Sequence, residues 1–393
     1  MTQYLLTKNP TECCGCSACE QACTQHAIYL KPNAEGFLYP VLNDALCVEC
    51  GICKKVCPYD NEVNGNEPIG VFATISTSEE ILNKSSSGGM FRTLADHILE
   101  NGGAVCGCIF DDAFRAVHKV STEQDIVNKM QGSKYVQSDM GDTFKDVKAR
   151  IEGGQTVLFT GTPCQTDGLK RFLQNDYDNL FTVDLVCHGV PSPFLLQEYL
   201  NQEIKENGAI IDLRFRNKER NGWCSQGSIT FHRKNKEKTI TITPFKDSYY
   251  NLFYLENCVS RLSCYSCPYA NQKRIADITI GDYWNIDEKL PYNVTKKGVS
   301  VFLVNTKKGQ DLFYAIKNNI KAYETDLTHA KNGNHNLVKH SNKPAKRDYI
   351  YKKILENGYK QAVKEECKFS YLVPFIRKCI PKGVKQAVKK ILS

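Results

Sequence analysis

The sequence predicts an α/β chain, α+β overall, in which a small cysteine-rich N-terminal domain precedes a larger α/β domain with an antiparallel β insertion. Three observations predict it. Nine of the 19 cysteines fall within residues 13–57 at short, regular spacings. From 70 to 200, apolar runs alternate with segments of helical period, as strand–loop–helix units do in a mostly parallel sheet covered by helices. From 210 to 245 apolar and polar residues alternate, the mark of half-buried antiparallel strands.

The elements follow in order. Cys13-x2-Cys16-x2-Cys19-x3-Cys23 recurs as Cys47-x2-Cys50-x2-Cys53-x3-Cys57, followed by Pro58. The stretch between them, AIYLKPNAEGFLYPVL, reads as two short strands about a turn at Glu35-Gly36. Residues 60–69 are polar with Gly and Pro, a linker. GVFATIS is a strand; SSSGG then opens the helix MFRTLADHILE, stopped by Gly-Gly. AVCGCIF is a strand. TVLFTGTPCQ and LFTVDLVCHGVPSP are each a strand, a tight turn and a helix start. IDLRFRNK, GSITFHRK and KTITITPF form the antiparallel insertion, and ADITIGDYW and GVSVFLVNT are further strands. The domains are expected at 1–65, 66–330 and 331–393, the last a basic, mainly helical tail.

With 41% hydrophobic and 24% charged residues the composition is that of a globular protein, and no apolar run approaches a membrane span of ~18 residues. The N-terminus lacks the apolar core and cleavage site of a signal peptide, so a cytoplasmic location is expected. In that compartment 19 cysteines point to metal rather than disulfides. Residues 331–393 hold 16 Lys/Arg against 4 Asp/Glu, a net +12 that leaves −4 for the rest of a chain of total charge +8. The basic balance thus belongs to the tail, which argues against a nucleic-acid partner. The final KCIPKGVKQAVKKILS interleaves lysines with apolar residues at helical spacing; it reads either as a contact with the anionic inner membrane face or as a basic helix on the acidic body.

The cysteine spacing is close to a geometric requirement. Three thiolates on one tight loop reach three irons of a cubane, and the fourth cysteine of the run ligates the other cluster. Cys13, Cys16, Cys19 and Cys57 are therefore assigned to one [4Fe–4S] cluster, and Cys47, Cys50, Cys53 and Cys23 to a second, in a ferredoxin-type domain. Thr24 replaces the proline usual after the fourth cysteine, and Cys14 is spare. Two complete runs argue against a pair of zinc sites.

A third group, Cys258, Cys264 and Cys267, is one thiolate short of a closed site. Cys187 is the preferred fourth ligand and Cys164 the other candidate; the site is a third [4Fe–4S] cluster, zinc, or buried thiols. Two strand–loop–helix turns have a form that cradles phosphate, Ser85–Gly89 and Thr160–Pro163. Ordinary capping gives the same pattern. Lys134, in GSKYVQS, can pair with a phosphate or a reduced flavin, or be solvated; His188 reads as a core histidine.

The ordered motifs SSSGG, GSKYVQS, GTPCQTDGL, DLVCHGVPS, SCYSCPY and RIADITIGDYW resemble the coenzyme F420 hydrogenase/dehydrogenase beta-subunit family over residues 70–305. The resemblance implies an α/β flavoprotein domain with FAD, fed by iron–sulfur clusters. It carries flavin contacts over to Ser87, Gly88, Gly89, Lys134, Thr160 and Gly161, and cluster ligation to Cys258, Cys264 and Cys267. The expected function is that of an iron–sulfur flavoprotein oxidoreductase serving an unidentified small-molecule substrate or carrier, with a redox partner such as ferredoxin or a reductase. The alternative is a non-catalytic electron-transfer subunit for a separate enzyme.

Overall fold

The computed structural model describes residues 9–219, 222–286 and 297–367. The end of the basic tail, with its expected membrane contact, lies outside the described residues, as does the N-terminus read for a signal peptide. Among the described residues no helix is long and apolar enough to cross a membrane.

The repeat in the sequence is a repeat in the backbone. In each four-cysteine run the second cysteine lies between two left-handed residues, Gly15 (φ 68°) and Ser17 (65°) in the first and Glu49 (55°) and Gly51 (74°) in the second. One helical turn then carries the third cysteine, Ala18–Gln21 in the first run and Ile52–Lys55 in the second. Left-handed conformation costs a non-glycine residue about 1–2 kcal/mol. Ser17 and Glu49 bear that cost where the loop wraps its thiols inward. The stretch between the runs is a hairpin of β1 (Ile28–Pro32) and β2 (Leu38–Leu42), antiparallel from Ile28 opposite Leu42 to Pro32 opposite Leu38. Its turn bends at Gly36 (φ 82°), which leaves no room for a side chain against Phe194.

The body is built on an eight-stranded sheet. Its strands are β3 (Gly70–Ser76), β4 (Ala104–Phe110), β5 (Ala116–Ser121), β6 (Val157–Gly161), β7 (Leu180–Leu185), β11 (Ile278–Asp282), β12 (Ser300–Val304) and β13 (Ile320–Glu324), in the order β13-β3-β12-β11-β7-β6-β4-β5. The centre β4, β6, β7 and β11 is parallel, and every pairing outside it is antiparallel. Alternation splits the centre between two layers. Val105 and Leu158 pack with Met90, Leu94 and Ile98 of the helix Met90–Glu100. Ala104, Cys106, Val157 and Phe159 pack with Phe144, Val147 and Leu169 from the helices Thr143–Glu152 and Pro163–Leu173. The expected insertion is present as a three-stranded antiparallel sheet of β8 (Ala209–Arg214), β9 (Gly227–Arg233) and β10 (Lys236–Ile242). It shares a core with the helices Pro193–Asn207 and Lys346–Asn357.

The sheet is mixed rather than mostly parallel, and β5 and β13 had no clear signal. Both are edge strands paired on one side only, and their sequences AVHKVS and IKAYE are too polar to stand out.

The N-terminal segment is locked onto this body. Ala18 and Val56 join the core of the second layer. Gln21 Oε1 accepts the Phe144 N–H, and Gln137 Nε2 donates to the Cys14 carbonyl. Arg347, 1% exposed, clamps Glu35 of the hairpin with two N–H groups and lies 4.6 Å from the Tyr351 ring. Removing one partner of a buried pair strands the other. Arg347→Ala is therefore expected to cost about 3–5 kcal/mol. Denaturant unfolding would read that loss, with limited proteolysis showing earlier cleavage at the hairpin turn.

Candidate electron-transfer site

Most thiols of the two four-cysteine runs lie close enough to act on one another's ionisation. Burial pushes the Cys19 thiol well up, and the charges of Cys13, Cys57 and Cys53 push it further. For Cys16 a hydrogen bond from Cys14 pulls down, but burial and the charges of Cys19 and Cys57 leave it raised. Cys53 is raised by burial and by Cys50 and Cys47. Cys13, Cys16, Cys19 and Cys57 therefore share one neighbourhood and Cys47, Cys50 and Cys53 an adjacent one. Cys23 Sγ accepts the Ala27 N–H at 3.3 Å. Thiols that raise one another's pKa are crowded ligands without their cation, and a bound metal ionises them. The donor set thus fits iron–sulfur clusters. Among the described residues no three His, Cys, Asp or Glu side chains converge as a single metal ion would require.

The third group has a different membership from the one expected. Cys164 sits in the first turn of the helix after β6, and Cys187 lies two residues beyond the end of β7. Cys264 and Cys267 come from the turn Leu262–Ser266 and its end. Burial raises Cys187, Cys264 and Cys267 each to about 12, assisted by one another and by Cys164. Cys164 and Cys187, weighed as alternatives, are both present. Cys258 is not brought to them. The chain crosses a Pro191–Ser260 bridge between Cys258 and Cys264, and the buried Cys258 thiol faces Leu252 O and the charge of Cys367.

Two buried polar links hold the third group. Tyr269 donates its hydroxyl to Asp167 at 2.7 Å, tying the Cys267 loop to the helix that carries Cys164. Arg274 reaches Asp184 at 3.0 Å and the Tyr269 carbonyl at 3.0 Å, tying that loop to the strand before Cys187. Tyr59, just past Cys57, donates to the Ser263 carbonyl at 3.3 Å. Cys14, the spare thiol, lies between the first and third groups: it shares a buried cluster with Cys16, and Cys164 packs against that cluster.

The expected flavin contacts lie along the carboxyl ends of the central strands, where such sheets bind ligands. Their polar groups are largely engaged within the protein. Ser87 Oγ donates to Val299 O at 2.7 Å, and Gly88 N–H donates to Ser300 Oγ at 2.9 Å. Gly89 (φ 89°) caps the helix Met90–Glu100. Thr160 Oγ1 donates to Cys106 O at 2.8 Å, and Gly161 packs against Gln165. Lys134 donates to the carbonyls of Lys129, Met130, Gln131 and Gly132, as a cation at a helix C-terminus does. His188, expected as a core histidine, is exposed.

A cluster that sequence reasoning missed stands at the same edge. Lys218 donates to Leu82 O and Ser87 O at 2.8 and 2.6 Å, and burial pushes its ammonium down to about 7. Arg216 pairs with Asp282 at 2.6 Å, and Trp223 donates to the same carboxylate at 2.9 Å while stacking on Trp284 at 4.7 Å. The charged run FRNK directly after a strand was the available signal. Lys218 and the start of the helix Met90–Glu100 are what this edge offers an anionic diphosphate, and in that respect it fits FAD.

Three family models match. Coenzyme F420 hydrogenase/dehydrogenase, beta subunit N-term, covers residues 71–145, and the model for the C terminus of the same beta subunit covers 154–329. A 4Fe-4S dicluster domain covers 12–61. Among solved structures, a chain of the xenon-derivatised F420-reducing [NiFe] hydrogenase complex from Methanosarcina barkeri is similar at 17% identity and a TM-score of 0.46, over 78% of this chain and 94% of that one. No curated protein matches.

A side chain at Gly88 would run into the Thr74 carbonyl and lie 2.7 Å from Ser300 N, both backbone atoms of the sheet. Gly88→Ala is accordingly expected to cost about 1–3 kcal/mol by overpacking. Thermal unfolding would show the loss while iron content stays unchanged. Any flavin lost from this variant would report strand packing rather than a broken flavin contact.

Proposed function

The chain belongs to the coenzyme F420 hydrogenase/dehydrogenase beta-subunit family, and from that premise we propose that it is an iron–sulfur flavoprotein oxidoreductase whose thiols hold three [4Fe–4S] clusters in series. The ligands proposed are Cys13, Cys16, Cys19 and Cys57; Cys47, Cys50, Cys53 and Cys23; and Cys164, Cys187, Cys264 and Cys267. The observation that carries the reading is the packing of Cys164, from the third group, against the buried cluster that holds Cys14 and Cys16. It makes the thiol groups contiguous from the surface to the carboxyl edge of the sheet. FAD held at that edge supplies, when bound, the conversion between single electrons and electron pairs. The residues proposed to hold it are Lys218, Ser87 and the start of the helix Met90–Glu100. The residues themselves bury Cys16, leave the other thiols of the first and third groups partly exposed, fix the loops, and present Cys50 at the surface. The division at 65/66 then separates electron inlet from redox body, while 330/331 falls inside the helix Leu327–Gly333, and Lys346–Asn357 beyond it packs into the core of the body.

A second reading has its own observation. Leu46 and Val48 are 48% and 63% exposed beside the exposed Cys50. Such a patch suits a redox partner docking on the outer group, and an electron carrier without a substrate of its own would need nothing more.

Anaerobic purification followed by iron, sulfide, zinc and flavin analysis tests both readings. About twelve irons are expected, about eight of them from the ferredoxin-type segment. Cys164→Ser and Cys187→Ser should each remove about four irons, and Cys258→Ser none. Stoichiometric zinc without sulfide overturns the cluster assignment. A protein full of iron that binds no flavin leaves the carrier reading.

A further inference from the structure

The buried arginines differ in one respect. Arg92 pairs with Asp96, Arg216 with Asp282, Arg274 with Asp184 and Arg347 with Glu35. Arg261 is 0% exposed, and among the described residues no carboxylate stands within ion-pairing distance of it. A guanidinium without a countercharge is costly to bury. Its neutral contacts are complete. Nε donates to Cys13 O at 2.7 Å, Nη1 to Gln137 Oε1 at 3.0 Å and Nη2 to Leu38 O at 2.9 Å. The Tyr39 ring lies 4.0 Å from the guanidinium carbon. The remaining contact is Nη2 to Cys13 Sγ at 3.4 Å.

We propose that Arg261 is the buried counter-ion of the cluster held by Cys13, Cys16, Cys19 and Cys57, and that it raises that cluster's reduction potential. The inference rests on the cluster reading above. A cubane with four thiolates is an anion that gains one more negative charge when it takes up an electron. A fixed cation on a ligand sulfur therefore stabilises the reduced form more than the oxidised form, and hydrogen bonds to the sulfurs act in the same sense. Low local dielectric enlarges the effect. The Arg261 carbonyl also accepts the Cys264 N–H at 3.0 Å, so the residue whose side chain reaches Cys13 of the first group has its backbone beside the third. Electrons arriving at the exposed outer group are drawn to the inner one, next to the body. Arg261 is thus a positioning residue that sets the direction of flow through the ferredoxin-type segment.

The test is an EPR-monitored potentiometric titration of the full chain, with iron and sulfide assayed first, in wild type, Arg261→Gln and Arg261→Lys. In an iron-replete Arg261→Gln, one ferredoxin-type midpoint should fall by at least the about 59 mV that corresponds to a tenfold change for one electron, with the other unmoved. Arg261→Lys should recover most of the fall, which a packing role would not predict. Unmoved midpoints, or an equal fall at every cluster, overturn the proposal. If Arg261→Gln loses its iron, wild type labelled with 15N-arginine decides. A nitrogen coupling on the spectrum of one reduced cluster supports the proposal, and its absence overturns it. A wild type without iron and sulfide overturns the cluster reading itself.

Discussion

The structure depends on burying the Arg261 guanidinium in the joint between the four-cysteine segment and the body. The segment has few apolar side chains of its own; Ala18, Ala27, Ile28, Phe37 and Val56 are its buried aliphatic and aromatic residues. So small a core does not hold an independent fold. The joint supplies what is missing. Arg261 fixes Cys13 and the hairpin carbonyl of Leu38, Gln137 fixes Cys14, and Arg347 fixes Glu35. Gly15 is required here, because a side chain would lie 3.0 Å from Arg261 Nη1 and 2.6 Å from Gln137 Nε2. Once these groups are in place the first thiol group cannot shift relative to the body, and the Cys14 contact with Cys164 becomes a fixed distance.

The parallel centre of the sheet determines the rest. Strands β6 and β7 run side by side in the same direction, so the residues that follow them, Cys164 and Cys187, emerge at one edge. Cys264 and Cys267 precede β11, and the chain runs from them across to the amino end of that strand, which pairs parallel to β7. The buried network of Asp184, Arg274 and Thr279 works across that strand pair. Breaking it would leave a charge with no water to solvate it, so the loop has one position. The sheet thus serves as a ruler for thiols that are up to 103 residues apart in sequence, from Cys164 to Cys267.

Legibility followed sequence distance. The two four-cysteine runs stood out because three of the four candidate ligands in each belong to one tight loop, where spacing alone carries the signal. Strands β3, β4, β6, β7, β11 and β12 were readable because burial on both faces makes their sequences nearly continuous apolar runs. The third thiol group was readable only in part. Cys258 is nearer to Cys264 in sequence than Cys164 is, but the bridge at Ser260 sends the two sides of the loop to different places. The phosphate-type loops carry a constraint that the sequence does not display. Ser87, Gly88 and Gly89 have the composition of an anion cradle, yet Gly88 is small because the loop lies on the backbone of β3 and β12, a long-range contact with no local mark. Arg261 and Lys218 could not have been selected by pattern from the 51 Lys and Arg of the chain, since what distinguishes them is burial.

The same crowding that makes these thiols good ligands makes the joint unstable without its clusters. Cys14, Cys16, Cys19 and Cys164 each have their ionisation opposed by burial and by a neighbouring thiol's charge. Without iron they are held as neutral thiols, and Arg261 then has no anion to face. With a cluster bound to the first group, Cys16 and Cys19 would be thiolates, and the buried guanidinium would have its countercharge. Folding of the joint and loading of the first group are therefore coupled equilibria, as they are wherever metal ligands must deprotonate to bind. The left-handed Ser17 and Glu49 add strain that only a filled loop offsets. The sheet and its two layers carry no such dependence, because the Val, Leu and Phe side chains that bury them need no metal. The body can form first and present Cys164, Arg261 and Gln137 as a preformed half-socket, with the N-terminal segment completing it as its clusters are inserted.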